Sequence, residues 1–249
     1  MNAHRQLATL EAIDVRKVYD DVVALDGVSV SIAAGECLAL VGESGSGKTT
    51  LLRLFNRMVE LDAGRVLVEG EDVAARDPVV LRRQIGYVPQ TGGLLPHWRV
   101  LRNVALVPWL ERHPDPASAA RAALELVGLA PATFAERRPA ELSGGQRQRV
   151  AIARALAAQP RYLLLDEAFG ALDAITRADV HEAFLNARQR LRTTTLLVTH
   201  DLREAVLLAD RLAVLRHGRL EQIGTPEEVF SAPATAYVAE LIRKSGAAA

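Results

Sequence analysis

The sequence predicts an α/β fold: a doubly wound parallel sheet, with an antiparallel β layer near its start and a helical region inserted later. Three observations predict it. Short unbroken apolar runs recur along the chain, helix-forming stretches separate them, and two early segments instead alternate apolar with polar residues. Unbroken runs suit strands covered on both faces, and strands alternating with helices build parallel sheets. Taken in order, Ile13 to Val18 and Val28 to Ile32 alternate, with Gly27 expected as the turn before the second, so they form an antiparallel layer with one wetter face. Cys37 to Val41 is the first fully covered strand, and a helix follows over Thr49 to Met58. The core resumes with a strand at Tyr162 to Leu165, a helix over Ile175 to Leu191, and strands at Thr195 to Val198 and Leu212 to Leu215. Residues 91–159 break this rhythm. Gly92, Gly93, Pro96, Pro108, Pro114 and Pro116 punctuate their first part, and helices are expected over Ser118 to Leu126 and Gln146 to Ala157. A single domain over 1–249 follows, with its core at about 1–90 and 160–249 and a mostly helical subdomain at about 91–159. A last helix covers Tyr237 to Lys244, and the terminal alanines 247–249 are expected to fray.

Composition narrows the function classes. With 249 residues and 49% apolar content, the chain can bury a sizeable core and is not a disordered segment. Its 30 basic residues balance 30 acidic ones, so bulk charge gives it no grip on nucleic acid. Only Lys17, Lys48 and Lys244 are lysines and the other 27 basic residues are arginines, a bias that reads as compositional. The single cysteine, Cys37, excludes an internal disulfide and any cysteine-based zinc site. Met1 to Glu11 is polar and lacks the apolar run of a signal peptide. No stretch approaches the ~18 apolar residues of a membrane span. A role at a membrane therefore needs another chain to cross it.

Gly42-Glu43-Ser44-Gly45-Ser46-Gly47-Lys48-Thr49-Thr50 carries the pattern G-x-x-x-x-G-K-[ST] between an apolar strand and a helix-forming run. The glycines let the backbone curl with its N–H groups pointing inward at phosphate oxygens, and the helix that follows adds the positive end of its dipole. Lys48 is placed to bridge β- and γ-phosphates, and the Thr49 hydroxyl to ligate Mg²⁺. Tyr162-Leu163-Leu164-Leu165-Asp166-Glu167 is an apolar strand ending in two carboxylates. Asp166 is placed for the Mg²⁺ shell opposite Thr49, and Glu167 for polarising a water in line with the γ-phosphate. Two acids after a strand are by themselves an ordinary solvated strand end. The phosphate loop in the same chain makes them candidates.

Leu142-Ser143-Gly144-Gly145-Gln146 opens a helix. Ser143 and Gln146 have the spacing of a capping box. Two glycines in a first turn, however, cost about 1 kcal/mol each relative to alanine. A bare backbone at a helix N-terminus suits an anion, and the phosphate loop already serves one. This second site is free for the nucleotide of another copy, which points to a dimer.

On these residues the chain resembles the ATP-binding-cassette (ABC) transporter ATPase subunits, over nearly its whole length. Leu142 to Gln146 matches that family's signature sequence without departure, a far more specific match than the phosphate loop. The resemblance implies a P-loop NTPase core of RecA-like type, with ATP and Mg²⁺ as ligands and ATP hydrolysis as the activity. Tyr19 resembles the aromatic residue that stacks on adenine. Gln90, in Gly86-Tyr87-Val88-Pro89-Gln90, resembles the glutamine that reaches Mg²⁺ and the attacking water. Ala171-Leu172-Asp173 resembles the loop that crosses between subunits, with Gly170 where a serine is common. His200, in Val198-Thr199-His200-Asp201, resembles the histidine that contacts the γ-phosphate. Read singly, Tyr19 is equally an edge-strand aromatic, Gln90 a loop amide and His200 a strand-end histidine; their joint order carries the assignment.

What the resemblance implies about partners is equally specific. Two copies sandwich two ATP molecules, a groove beside the Gln90 loop receives a helix of a membrane permease, and a substrate-binding protein is involved indirectly. The subunit then sits peripherally on the cytoplasmic face of the inner membrane. Leu94 to Trp98 and Val107 to Leu110 supply the apolar wall of that groove, unless Trp98 and Trp109 are core of the helical region. Phe55 to Met58, Val107 to Leu110 and Asp166 to Asp173 look most like ATPases of osmoprotectant importers, which carry glycine betaine, choline or related quaternary amines. Polar amino-acid importers are the alternative, and with Ala249 following shortly after the helix Tyr237 to Lys244 no C-terminal regulatory module is expected. A soluble ABC ATPase of DNA repair or translation is a different class. Only 93 positions separate Thr49 from Leu142, with no heptads between them, and one cassette is present, which argues against both. A P-loop kinase would need an acceptor site and no signature sequence.

Overall fold

The structure is a computed structural model that describes residues 10–170 and 172–246. The expectations for the polar N-terminus and the fraying alanines fall on residues 1–9 and 247–249, and Ala171 of the crossing loop is position 171; these lie outside the described residues. The strands in chain order are β1 (Leu10–Tyr19), β2 (Val22–Ile32), β3 (Cys37–Val41), β4 (Ala63–Val68), β5 (Glu71–Asp72), β6 (Ile85–Val88), β7 (Tyr162–Asp166), β8 (Thr194–Val198), β9 (Arg211–Arg216) and β10 (Arg219–Gly224). The chain divides into two compact units, Met1–Arg82 with Thr194–Ala249 and Arg83–Thr193.

The first unit holds two sheets. One runs β2-β1-β4-β5, all antiparallel, as the early alternating segments predict. Gly27 is not its turn. The chain reverses at Asp20–Asp21, and Gly27 lies inside β2 with φ +70°, where Val15 pairs with Val28 but Arg16 with Asp26. The extra residue is a bulge, which a glycine at positive φ accommodates without strain. In the other sheet β3 pairs in parallel with β8 on one side and β9 on the other, and β10 closes the β9 edge antiparallel. Every residue of β3 and β8 is buried, which is why their sequences show no polar alternation.

In the second unit β6 and β7 pair in parallel, from Ile85 opposite Tyr162 to Val88 opposite Leu165. Helices Pro116–Leu126, Gly144–Leu156 and Ala174–Leu191 are its longest. The helical region read at about 91–159 lies inside this unit, which also takes in β6, β7 and the helix Ala174–Leu191. Among the described residues no helix is long and apolar enough to cross a membrane.

Candidate active site

The phosphate-loop residues follow β3 directly. Gly42 has φ +148° and Gly47 φ +100°. A Cβ at Gly42 would lie 2.2 Å from the Leu215 carbonyl oxygen, and one at Gly47 2.4 Å from that of Ala24. Neighbouring backbone thus closes in from two sides, and only glycine fits at either end of the loop. Lys48 is 4% exposed, and its ammonium donates to the carbonyls of Gly42 (2.8 Å) and Glu43 (2.7 Å) and to the Ser46 hydroxyl (3.3 Å). The helix Lys48–Phe55 starts at Gly47, and no side chain caps it. Its first-turn N–H groups, those of Thr49 and Thr50 included, point back toward the loop, as at any helix start. A buried cation, a curled backbone and an uncapped helix start fit a phosphate. Ser46 is buried, whereas Glu43, Ser44 and Gly45 are exposed on the outer turn of the loop.

Parallel pairing brings His200 to the same sheet edge. Leu40 of β3 is opposite Val198 of β8, and the Thr199 N–H donates to the Leu40 carbonyl (3.1 Å), so the turns after both strands leave the sheet together. His200 is exposed there, and Asp201 caps the helix Leu202–Leu208 by accepting from Arg203 N–H (2.9 Å). Tyr19 ends β1 at 43% exposure with the Lys17 ammonium 5.3 Å from its ring centre, an open aromatic face suited to stacking.

In the second unit the pairing of β6 with β7 sets Gln90 beside the acidic pair. The Gln90 side-chain amide donates to Glu167 Oε2 at 2.8 Å. Asp166 is 2% exposed, and the Tyr87 hydroxyl donates to its Oδ2 (3.3 Å). Glu167 is half-buried with φ +48°, a left-handed backbone unusual for a glutamate and of the kind that concentrates at functional sites. Among the described residues no cluster of three or more His, Cys, Asp or Glu forms a metal site. An Mg²⁺ held through phosphates, one hydroxyl and one carboxylate needs no such cluster. Thr49 in the first unit and Asp166 in the second each carry a hard oxygen donor of the kind that ion takes.

Ser143 and Gln146 form the expected capping box: Ser143 Oγ accepts from Gln146 N–H (3.2 Å), and Gln146 Oε1 from Ser143 N–H (3.0 Å). Leu142 is buried and Ser143 exposed. The two glycines differ. A Cβ on Gly144 would make ordinary contact with Leu172 at 3.6 Å, but one on Gly145 would lie 2.0 Å from Thr176 Cγ2. Packing alone therefore demands glycine at 145, a reason distinct from the anion read from the sequence. Asp173 caps the helix Ala174–Leu191, and the Thr176 hydroxyl and backbone N–H hold its carboxyl below the usual carboxylate range.

Sequence reasoning missed two contributors, Tyr87 and Arg154, and left open whether Trp98 and Trp109 are core. Tyr87 orients Asp166, and its signal was its place two residues before the Pro89-Gln90 turn. Arg154 donates to the carbonyls of Gly92 (2.8 Å) and Gly93 (2.6 Å), fastening the segment after Gln90 to the helix after Ser143; burial lowers its pKa. Trp109 is 64% exposed and so is not core. Trp98 is half-buried under the Arg102 guanidinium, and both indoles line an apolar groove of about 650 Å³ with Leu101, Ala105 and Leu106.

Comparison with known proteins gives concordant results. Residues 25–170 match the ABC transporter family. Over 238 residues the chain is 44% identical to the glycine betaine/carnitine/choline transport ATP-binding protein OpuCA of Bacillus subtilis (strain 168), covering 94% of this chain and 62% of that one. It is 47% identical over 237 residues to the sulfate/thiosulfate import ATP-binding protein CysA 1 of Chromobacterium violaceum, covering 92% of this chain and 65% of that one. A dimeric ATP-binding cassette in a post-hydrolysis state bound to ADP and Pi is 30% identical, with a TM-score of 0.77, over 87% of this chain and 98% of that one. The chain thus spans 62% of the length of the first curated relatives it matches.

Proposed function

The chain belongs to the ABC transporter family, and from that premise we propose that it is the ATP-hydrolysing subunit of an importer, working as a pair with a second copy of itself. The observation that carries the reading is the phosphate loop, where a buried Lys48 ammonium is held on the loop's own carbonyls and the helix that follows starts without a side-chain cap. In this proposal Lys48 exchanges backbone carbonyls for β- and γ-phosphate oxygens, and Tyr19 stacks on adenine. Thr49, Asp166 and Gln90 hold Mg²⁺, which neutralises phosphate charge when bound. The partner copy's Ser143 to Gln146 completes each site, and Asp173 crosses between subunits. Glu167 takes the proton of a water as its oxygen attacks the γ-phosphorus. Gln90 orients that water, His200 donates to the γ-phosphoryl oxygens as charge develops, and ADP departs with the bridging oxygen. Closing requires both nucleotides and reopening follows their hydrolysis, so the site couples chemistry to a change of shape.

Partners and cargo belong to the same proposal. The groove between Trp98 and Trp109 is the seat for a permease helix, and the subunit works peripherally at the cytoplasmic face of the inner membrane. A substrate-binding protein supplies cargo, and no nucleic acid takes part. The cargo we propose is a quaternary amine osmoprotectant, supported by the OpuCA relative; the sulfate importer relative is the competing indication. Two measurements test the reading. Glu167→Gln should bind ATP yet hydrolyse it at least about 100-fold more slowly, the scale of a lost general base; near-normal turnover overturns the role of Glu167. Proteoliposomes holding the permease complex should take up labelled choline or glycine betaine in an ATP-dependent way, whereas uptake of sulfate alone sinks the cargo assignment.

A further inference from the structure

The C-terminal helix Ala236–Ser245 reaches the phosphate loop. Thr235 caps it, its hydroxyl accepting from Val238 N–H (3.3 Å), and Tyr237, Val238 and Ile242 form its buried face. Tyr237 carries a hydroxyl into that interior, and this hydroxyl accepts from the Glu43 N–H at 3.2 Å. The N–H belongs to the Gly42–Glu43 peptide, whose carbonyl accepts from the Lys48 ammonium at 2.8 Å. A peptide unit is planar with its N–H and C=O opposed, so fixing one end orients the other. The Arg216 guanidinium lies 4.5 Å from the Tyr237 ring centre, one residue beyond the Leu215 carbonyl that crowds Gly42. At the far end of the same helix, Arg203 donates to the carbonyls of Ser245 (2.8 Å) and Gly246 (3.2 Å). Arg203 stands in the helix that begins just after His200.

We propose that Tyr237 is a positioning residue of the phosphate loop: its hydroxyl orients the Gly42–Glu43 peptide toward Lys48 and makes the loop's nucleotide-receiving shape depend on the docked C-terminal helix. This rests on the reading of Gly42 to Thr49 as the nucleotide site. The ring alone accounts for the apolar packing and for the contact with Arg216, since phenylalanine would keep both. The hydroxyl adds one bond, and that bond is to the loop. Burial raises the phenol's pKa, so it stays neutral over the working range and serves as a steady acceptor.

Tyr237→Phe in the full chain tests this. Loss of one such bond should weaken equilibrium Mg·ATP binding by about 3- to 10-fold, with the KM for ATP raised in step and kcat within about 2-fold. Amide exchange in residues 42–47 of the nucleotide-free protein should quicken, while exchange in β3 and the melting temperature stay close to wild type. Unchanged loop exchange would make Tyr237 a packing residue and overturn the proposal, whatever the ATP affinity. Loop exchange needs no nucleotide, so it decides the proposal even if the site reading fails; that failure shows separately, as wild-type protein that does not bind Mg·ATP or binds it equally well as Lys48→Ala.

Discussion

Lys48 is buried with its ammonium turned onto two carbonyls of its own loop, in a chain whose formal charge sums to zero. In the proposed nucleotide site anion recognition depends on where one cation and a few N–H groups point, and net charge says nothing about it. Lys48→Ala should weaken Mg·ATP binding by about 10- to 100-fold, the range for lost charge-assisted hydrogen bonds. Lys48→Arg should not restore it, because a planar fork cannot occupy the space of a compact ammonium; titration calorimetry reads both. Gly145 makes a second residue-scale test. Gly145→Ala drives a methyl into Thr176 Cγ2, 2.0 Å from the new Cβ, so stability should fall by about 1–3 kcal/mol. Adding Thr176→Ser removes the opposing methyl and should return most of the melting temperature. If it does not, crowding at Thr176 is not what demands glycine at 145.

Helices and loops act here through their ends. The helix Gly144–Leu156 presents Ser143 at its start, while Arg154 in its last turn fastens Gly92 and Gly93, just beyond Gln90. One rigid element therefore joins the segment carrying Gln90 to the one carrying Ser143. Arg154→Met should quicken amide exchange over residues 91–95 and lower hydrolysis several-fold while leaving Mg·ATP affinity near wild type. Affinity lost in parallel would show that Arg154 supports the unit as a whole. The boundaries of this helix were legible to within two residues, because a capping box and a glycine pair mark its start. The Arg154 tether was not, since nothing in the spacing of Gly92 and Arg154 says that they meet.

For the whole molecule, the proposed pairing of two copies makes a mass-action prediction. Glu167→Gln with Mg·ATP should elute at twice the monomer mass in size-exclusion chromatography with light scattering, and the wild type with ADP as a monomer. A monomer under every nucleotide condition would remove the two-copy site from the mechanism. The parallel core, the antiparallel layer, the phosphate loop, the acidic strand end and the signature stretch were all legible in sequence, because each is written in adjacent residues through local sterics: glycines where backbone must curl, apolar runs where both faces are covered, carboxylates where a strand stops. Tertiary structure alone decided the rest. It turned Gly27 from a turn into a bulge, exposed Trp109, gave Gly145 a packing reason, and brought Tyr237 to Glu43 across 194 positions of chain. The physical reason is the same each time. Backbone conformation is set within a few residues, whereas contacts between distant segments exist only once strand pairing has brought their ends to a common edge.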